Sequence, residues 1–362
     1  MQGSSFHYYV VIIWRQYDFY IRYIRILCIL TRLDPKGLVS FFMEVIMILN
    51  LIFLIVGFVV LIKGADLFVD GASGVAGNFK VSKMLIGLTI VAFGTSAPEF
   101  AVSVKSLLAG NGDIVLGNVM GSNILNILLI LGTSAMFHSL QVKNNTVRKE
   151  LPITLMITTA FAVLLSDSLF TKNAINSFTR GDGIILVLFF GVFMYYLISM
   201  ARNKIVDDEE VTYPSMKKSI IFTLIGMAGI VIGSNFVVDG ASGLAKIIGI
   251  SDRMIALTIV ALGTSLPELV TSVTATRKGE YDIAIGNVVG SNIFNIGMVV
   301  GIPVAILGGI PNINFSYVDI AIMLLAASML FIFSLKDHKI TKREGILFLL
   351  TFLIYYSYVI IG

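Results

Sequence analysis

Charge is what this sequence has least of. Only 13% of its 362 residues are Asp, Glu, Lys or Arg, while 57% are hydrophobic and the mean hydropathy is +0.92. A soluble domain carries about a quarter charged residues, so the deficit excludes an ordinary water-soluble fold. A single cysteine, Cys28, excludes a disulfide framework. With only three histidines (His7, His138 and His338), a His/Cys metal centre is excluded as well. Long polar segments are missing too: the longest polar connection, 201–219, is too short to be a domain. The small net charge of +4 lies in loops and argues against a nucleic-acid surface.

What the chain has instead is apolar runs of about 20 residues, the length that crosses a bilayer core. Ten are predicted, near 49–68, 84–108, 114–137, 150–167, 183–201, 218–237, 254–276, 283–308, 317–335 and 343–361. The fold class is therefore all-α integral membrane, with ten transmembrane helices.

Three strings occur twice. DGASG at 70–74 recurs at 239–243, LTIVAFGTSAPE at 88–99 recurs as LTIVALGTSLPE at 257–268, and DIVLGNVMGSNILNI at 113–127 recurs as DIAIGNVVGSNIFNI at 282–296. All are offset by 169 residues, and 66–132 matches 235–301 at 34 of 67 positions. The offset contains five predicted spans, and an odd number turns the second copy upside down in the bilayer. Two inverted five-helix repeats follow, a transporter design whose site lies at the midplane between the copies. The predicted organisation is a 1–42 extension, a first repeat over 43–201, a short cytoplasmic loop at 202–219 and a second repeat over 220–362.

Loop charges orient the chain. One set of alternate loops carries Lys80 and Lys83; Lys143, Arg148 and Lys149; Arg202, Lys204, Lys217 and Lys218; Arg277 and Lys278; and Lys336, Lys339, Lys342 and Arg343. The other set carries Lys172, Arg180, Lys246 and Arg253. The positive-inside rule makes the first set cytoplasmic, and a multi-pass cell-membrane protein with its C-terminus outside is expected.

Glu99 and Glu268 fall well inside their spans. A carboxylate there costs several kcal/mol and marks a functional site unless a neighbouring helix simply satisfies it. Pro98 and Pro267 precede them and withhold an N–H from the carbonyl four residues back. The carbonyls near Gly94–Thr95 and Gly263–Thr264 are thereby expected to be partly freed, beside the hydroxyls of Thr95, Ser96, Thr264 and Ser265. The GNVxGSNIxN strings add Ser122, Asn123 and Asn126, with Ser291, Asn292 and Asn295; these either line a cavity or glue helices together. An all-oxygen set suits Ca²⁺ and Na⁺ rather than softer metals. Two ionised glutamates are neutralised by one Ca²⁺ or two Na⁺. Exchange of three Na⁺ for one Ca²⁺ would move one net charge, worth about 2.3 kcal/mol per 100 mV.

GTSAPE with GNVMGSNILN, repeated as GTSLPE with GNVVGSNIFN, closely resembles the α-repeats of the sodium/calcium exchanger family, in the cation/calcium exchanger superfamily. The resemblance covers roughly 44–362. It implies secondary active antiport of Na⁺ and Ca²⁺ by alternating access, with inorganic cations as cargo, the lipid bilayer as solvent, no cofactor and no protein partner. By motif position it implies a Ca²⁺ site at Glu99, Glu268 and the carbonyls of Thr95 and Thr264. Flanking Na⁺ sites fall at Ala92, Ser96, Ser122, Ala261, Ser265 and Ser291, with Asn126 and Asn295 at the centre. Potassium-dependent relatives carry an acid where this chain has Asn295, so K⁺ dependence is not expected.

Residues 1–42 have no counterpart in the second half. Arg15, Arg22, Arg25 and Arg32 share one side of a helical wheel, as in a basic helix at a membrane surface. They nevertheless oppose the orientation above. The stretch, with Trp14, reads as upstream sequence that is not native, with Met43 or Met47 opening the protein. An enzyme is not expected: RGDG at 180–183 and YD at 281–282 resemble membrane aspartyl protease motifs, but Asp182 and Asp282 sit at span ends. A passive channel would share the paired acids and lack counter-ion dependence. Buried glutamates can also carry protons, which makes a proton-driven cation antiporter the alternative.

Overall fold

Long apolar runs with few helix breakers form long helices, and breakers placed inside them set where those helices bend. The computed structural model describes residues 35–170, 176–202, 213–250, 255, 259, 261–311, 313 and 316–361. Trp14, Cys28 and the four N-terminal arginines lie outside the described residues. The helices are α1 (Pro35–Phe79), α2 (Lys83–Thr95), α3 (Ala97–Leu108), α4 (Gly112–Phe137), α5 (Leu151–Leu164) and α6 (Arg180–Arg202). They continue with α7 (Met216–Ile247), α8 (Leu266–Arg277), α9 (Tyr281–Leu307), α10 (Tyr317–Leu335) and α11 (Lys342–Ile361).

Among the described residues seven helices are long and apolar enough to cross a membrane, and the bent pair α2–α3 makes an eighth. Two predicted spans fall short of that test. The one near 150–167 is a 14-residue helix, α5, entered through a π-helical turn at Thr146–Glu150. The one near 254–276 is divided into a short helix, Ala261–Thr264, and α8, and part of it lies outside the described residues. Two short strands, β1 (Leu140–Gln141) and β2 (Lys339–Ile340), pair antiparallel with Leu140 opposite Ile340 and tie two loops together.

α4 and α9 are the buried centre of the bundle, and α1, α6 and α11 expose most of their apolar side chains, as a lipid-facing surface requires. Glycines fix how the longest helices meet. Gly57 and Gly64 on α1 recur at Gly226 and Gly233 on α7 with the 169-residue offset, and both pairs are seven residues apart. A methyl group at Gly57 would stand 2.7 Å from the Val237 nitrogen, and one at Gly64 would stand 2.7 Å from the Ile230 nitrogen. Backbone therefore touches backbone along an antiparallel seam, the small-residue packing that holds helices together in lipid.

Candidate functional site

Both glutamates sit just past a helix break. α2 and α3 are bent by 45° about Ser96, whose φ of −85° and ψ of 3° leave the helical region. Ser265 has nearly the same angles, −92° and 4°. Each proline then occupies the first turn of a new helix, where its missing N–H costs nothing. Glu99 and Glu268 fall in the first turns of α3 and α8, where the helix dipole favours negative charge. The two breaks differ in one respect that symmetry did not suggest. Ser234 on α7 donates its hydroxyl to the Gly263 carbonyl at 3.0 Å, replacing the hydrogen bond that Pro267 withholds. The matching position on α1 is Ala65, which has no hydroxyl for Gly94. Of the two expected free carbonyls, the one at Gly263 is taken.

The acids are almost wholly buried, at 1% exposure each. The Ser96 hydroxyl of the first copy donates to Glu268 Oε1 of the second at 3.2 Å. Thr264 of the second copy faces Glu99 of the first. Among the described residues, both Glu99 oxygens and Glu268 Oε2 have no partner in hydrogen-bond geometry. Buried carboxylate oxygens left in this way need a cation or a proton.

The asparagines exchange contacts reciprocally. Asn126 Nδ2 donates to Asn292 Oδ1 at 3.0 Å, and Asn295 Nδ2 donates to Asn123 Oδ1 at 3.1 Å. Asn123 Nδ2 reaches the Asn292 carbonyl at 3.3 Å, and Asn292 Nδ2 reaches the Asn123 carbonyl at 3.5 Å. Asn126 and Asn295 thus use their amino groups on each other's neighbours and leave both Oδ1 atoms unpartnered and buried. Their NH₂ donors are engaged and their acceptor oxygens are unpartnered among the described residues, the arrangement an oxygen ligand requires. Each of these asparagines also opens a π-helical turn, Asn126–Leu131 and Asn295–Gly301. Such turns widen a helix and recur at functional sites.

The remaining expected residues also gather here. Ser265 donates to Ser122 at 3.4 Å, and the Thr95 hydroxyl approaches Ser291 at 3.4 Å. The Ala92 carbonyl already accepts from the Ser96 N–H at 3.0 Å. The backbone of Ala261 opens the short helix before the second break. Sequence reasoning missed Asn287 and Ser272. Thr95 donates to Asn287 Oδ1 at 3.0 Å, while Asn287 Nδ2 reaches Ser272 Oγ at 2.9 Å and the Glu268 carbonyl at 3.4 Å. Their recurrence as Asn118 and Ser103 was the available signal. Asp182 and Asp282, weighed as a protease pair, have structural roles. Asp182 accepts from Thr179 N and Oγ1 at 2.7 Å, and Asp282 pairs with Lys143 at 2.8 Å.

Known proteins resemble this chain over most of its length. The family model described as "Sodium/calcium exchanger protein" matches residues 49–199 and 218–361. A putative antiporter, CaxA of Alkalimonas amylolytica, is 37% identical over 85% of this chain and 98% of its own length. The sodium/calcium exchanger MaX1 of Methanosarcina acetivorans is 31% identical over 86% of this chain and 99% of its own length. A solved structure of the sodium-calcium exchanger NCX_Mj, soaked with Na⁺ and Sr²⁺, superposes with a TM-score of 0.74 at 32% identity, covering 86% of this chain and 98% of that one. Two family matches spanning both sequence repeats, over a fold shared with a solved exchanger, settle membership: the chain belongs to the sodium/calcium exchanger family.

Proposed function

We propose that this chain is a secondary active antiporter that exchanges Na⁺ for Ca²⁺ at one midplane site built from both repeats. The observation that carries the reading is the pairing of two buried glutamates, three of whose four carboxylate oxygens lack a partner among the described residues, amid hydroxyls and amide oxygens. Glu99 and Glu268 are the Ca²⁺ ligands, helped by the carbonyls of Thr95 and Thr264. Ala92, Ser96, Ser122, Ala261, Ser265 and Ser291 form the Na⁺ positions around them, and Asn126 and Asn295 supply the central oxygens. The reciprocal asparagine contacts support a pseudo-twofold relation between inverted copies, each of five spans, which makes ten. In this reading the lysine- and arginine-rich loops are cytoplasmic and the C-terminus is outside.

Uptake of ⁴⁵Ca²⁺ into purified-protein vesicles tests it. Vesicles loaded with Na⁺ and diluted into Na⁺-free buffer should accumulate Ca²⁺ well above vesicles without a gradient, and a pH gradient alone should give no such uptake. Uptake driven by the pH gradient and indifferent to Na⁺ would assign the same acids to proton-coupled antiport.

A further inference from the structure

The two copies share their reciprocal asparagine contacts but differ at one pair of residues. In the second copy Asn287 joins three helices: it accepts from Thr95 on α2 at 3.0 Å and donates to Ser272 on α8 at 2.9 Å, while lying on α9 itself. The first copy carries the same pair 169 residues earlier, as Ser103 on α3 and Asn118 on α4. There no such bond is made: among the described residues, Ser103 Oγ and Asn118 Nδ2 are both buried without a partner. The faces around the two pairs differ in the same sense. Ile114 is 52% exposed and its match Ile283 is 0% exposed. Gly117 is exposed, whereas a methyl group on its match Gly286 would stand 3.0 Å from Gly87 Cα on α2.

The ends of the helices agree. Beyond Asn118, the α3–α4 turn lines a cavity of about 570 Å³ that includes Leu107 and Asp113. Beyond Asn287, the α8–α9 turn is tied down by ion pairs. Lys278 meets Asp70 at 2.8 Å, Lys83 meets Glu280 at 3.0 Å and Lys143 meets Asp282 at 2.8 Å. The positions matching Lys278 and Glu280 are Ala109 and Asn111, so these pairs have no equivalent at the other end.

We infer that Asn118–Ser103 and Asn287–Ser272 are two alternating clasps flanking the ion site, and that this conformation has the Asn287 clasp shut and the Asn118 clasp open. The inference rests on the exchanger reading and its orientation, which put the shut clasp on the cytoplasmic side and the open one outside. Ser103 Oγ on α3 and Asn118 Nδ2 on α4 are buried and unpartnered at the positions that bond in the other copy, and leaving both desolvated is costly, which favours a state that makes the bond. Moving the α3–α4 end inward would make that bond while an equivalent outward motion of the α8–α9 end breaks the other. Near-identical halves can carry out such an exchange because each reproduces the other's state. The one-sided ion pairs bias the resting protein toward outward opening.

Accessibility of matched thiols to a membrane-impermeant maleimide tests this, in vesicles of known sidedness with Cys28 replaced by serine. Leu107→Cys lines the outer cavity, and its match Thr276→Cys is fully buried. At rest the thiol at 107 should label from outside and the thiol at 276 should be protected. Adding Ser272→Ala, which removes one clasp bond and little volume, should raise cytoplasmic labelling at 276 about fivefold, the shift expected for one net buried hydrogen bond. Ser103→Ala should leave resting labelling unchanged, because its bond is not made, yet slow ion exchange because the outer side no longer shuts. Asn287→Ala should act like Ser272→Ala and more strongly. Equal labelling in the two serine variants, or unchanged exchange in Ser103→Ala, would overturn the clasps. Labelling reports accessibility whichever ion is carried, so a proton-coupled exchanger would still show this pattern and the two failures remain distinguishable.

Discussion

Glu99→Gln and Glu268→Gln should each abolish Ca²⁺ exchange while the protein still inserts and purifies as a folded species. Each substitution removes one of two negative charges from a buried site and keeps the shape of the side chain. The number of charged ligands is the main control on Ca²⁺ affinity in oxygen sites, so a loss of about a hundredfold or more in exchange is expected. Folding should survive because neither carboxylate is a structural linchpin: among the described residues the Glu99 oxygens have no partner in hydrogen-bond geometry, and Glu268 Oε1 accepts from Ser96. The amides should even ease burial, since a neutral group costs less at this depth. Exchange within a few-fold of the unmodified protein in either variant would remove the two-carboxylate site.

The second large effect concerns the α1–α7 seam. Gly64→Leu should prevent recovery of folded protein or lower its thermal stability severely. A side chain at Gly64 begins 2.7 Å from the Ile230 nitrogen and within 3.0 Å of the Gly226 carbonyl. Both are backbone atoms of a helix that cannot step aside alone. Overpacking a yielding core costs about 1–3 kcal/mol, and a backbone clash along a helix seam exceeds that range. Gly191→Leu on the exposed face of α6 is the control and should be tolerated. Comparing the melting of the two purified variants checks the seam; similar melting would show that α1 and α7 do not meet there.

Much of this architecture was legible in the residues. The two proline–glutamate strings and the GNVxGSNIxN strings that the repeat singled out lie against one another in the fold, and Glu99 and Glu268 are both buried. Three features were not read. The glycines at 57, 64, 226 and 233 repeat with the same offset but outside the motif strings, so their packing role emerged only when two backbones were seen to touch. Ser234 lies in an apolar run, and only its approach to the Gly263 carbonyl reveals that it caps the break. The asymmetry of the asparagine–serine pairs could not be read at all. Identical residues in two copies carry no information about which copy is closed, because that belongs to the conformation and not to the pattern. The span count differs from the ten predicted through local geometry: α5 is short, and the predicted 254–276 span divides at Ser265.

The most direct measurement is the position of a divalent ion in crystals soaked with Sr²⁺, read from its anomalous scattering. A single strong peak between the Glu99 and Glu268 carboxylates, lost in crystals of Glu99→Gln, is the result expected for a midplane site shared by both repeats. A peak held elsewhere, with those two carboxylates away from any ion, would contradict it.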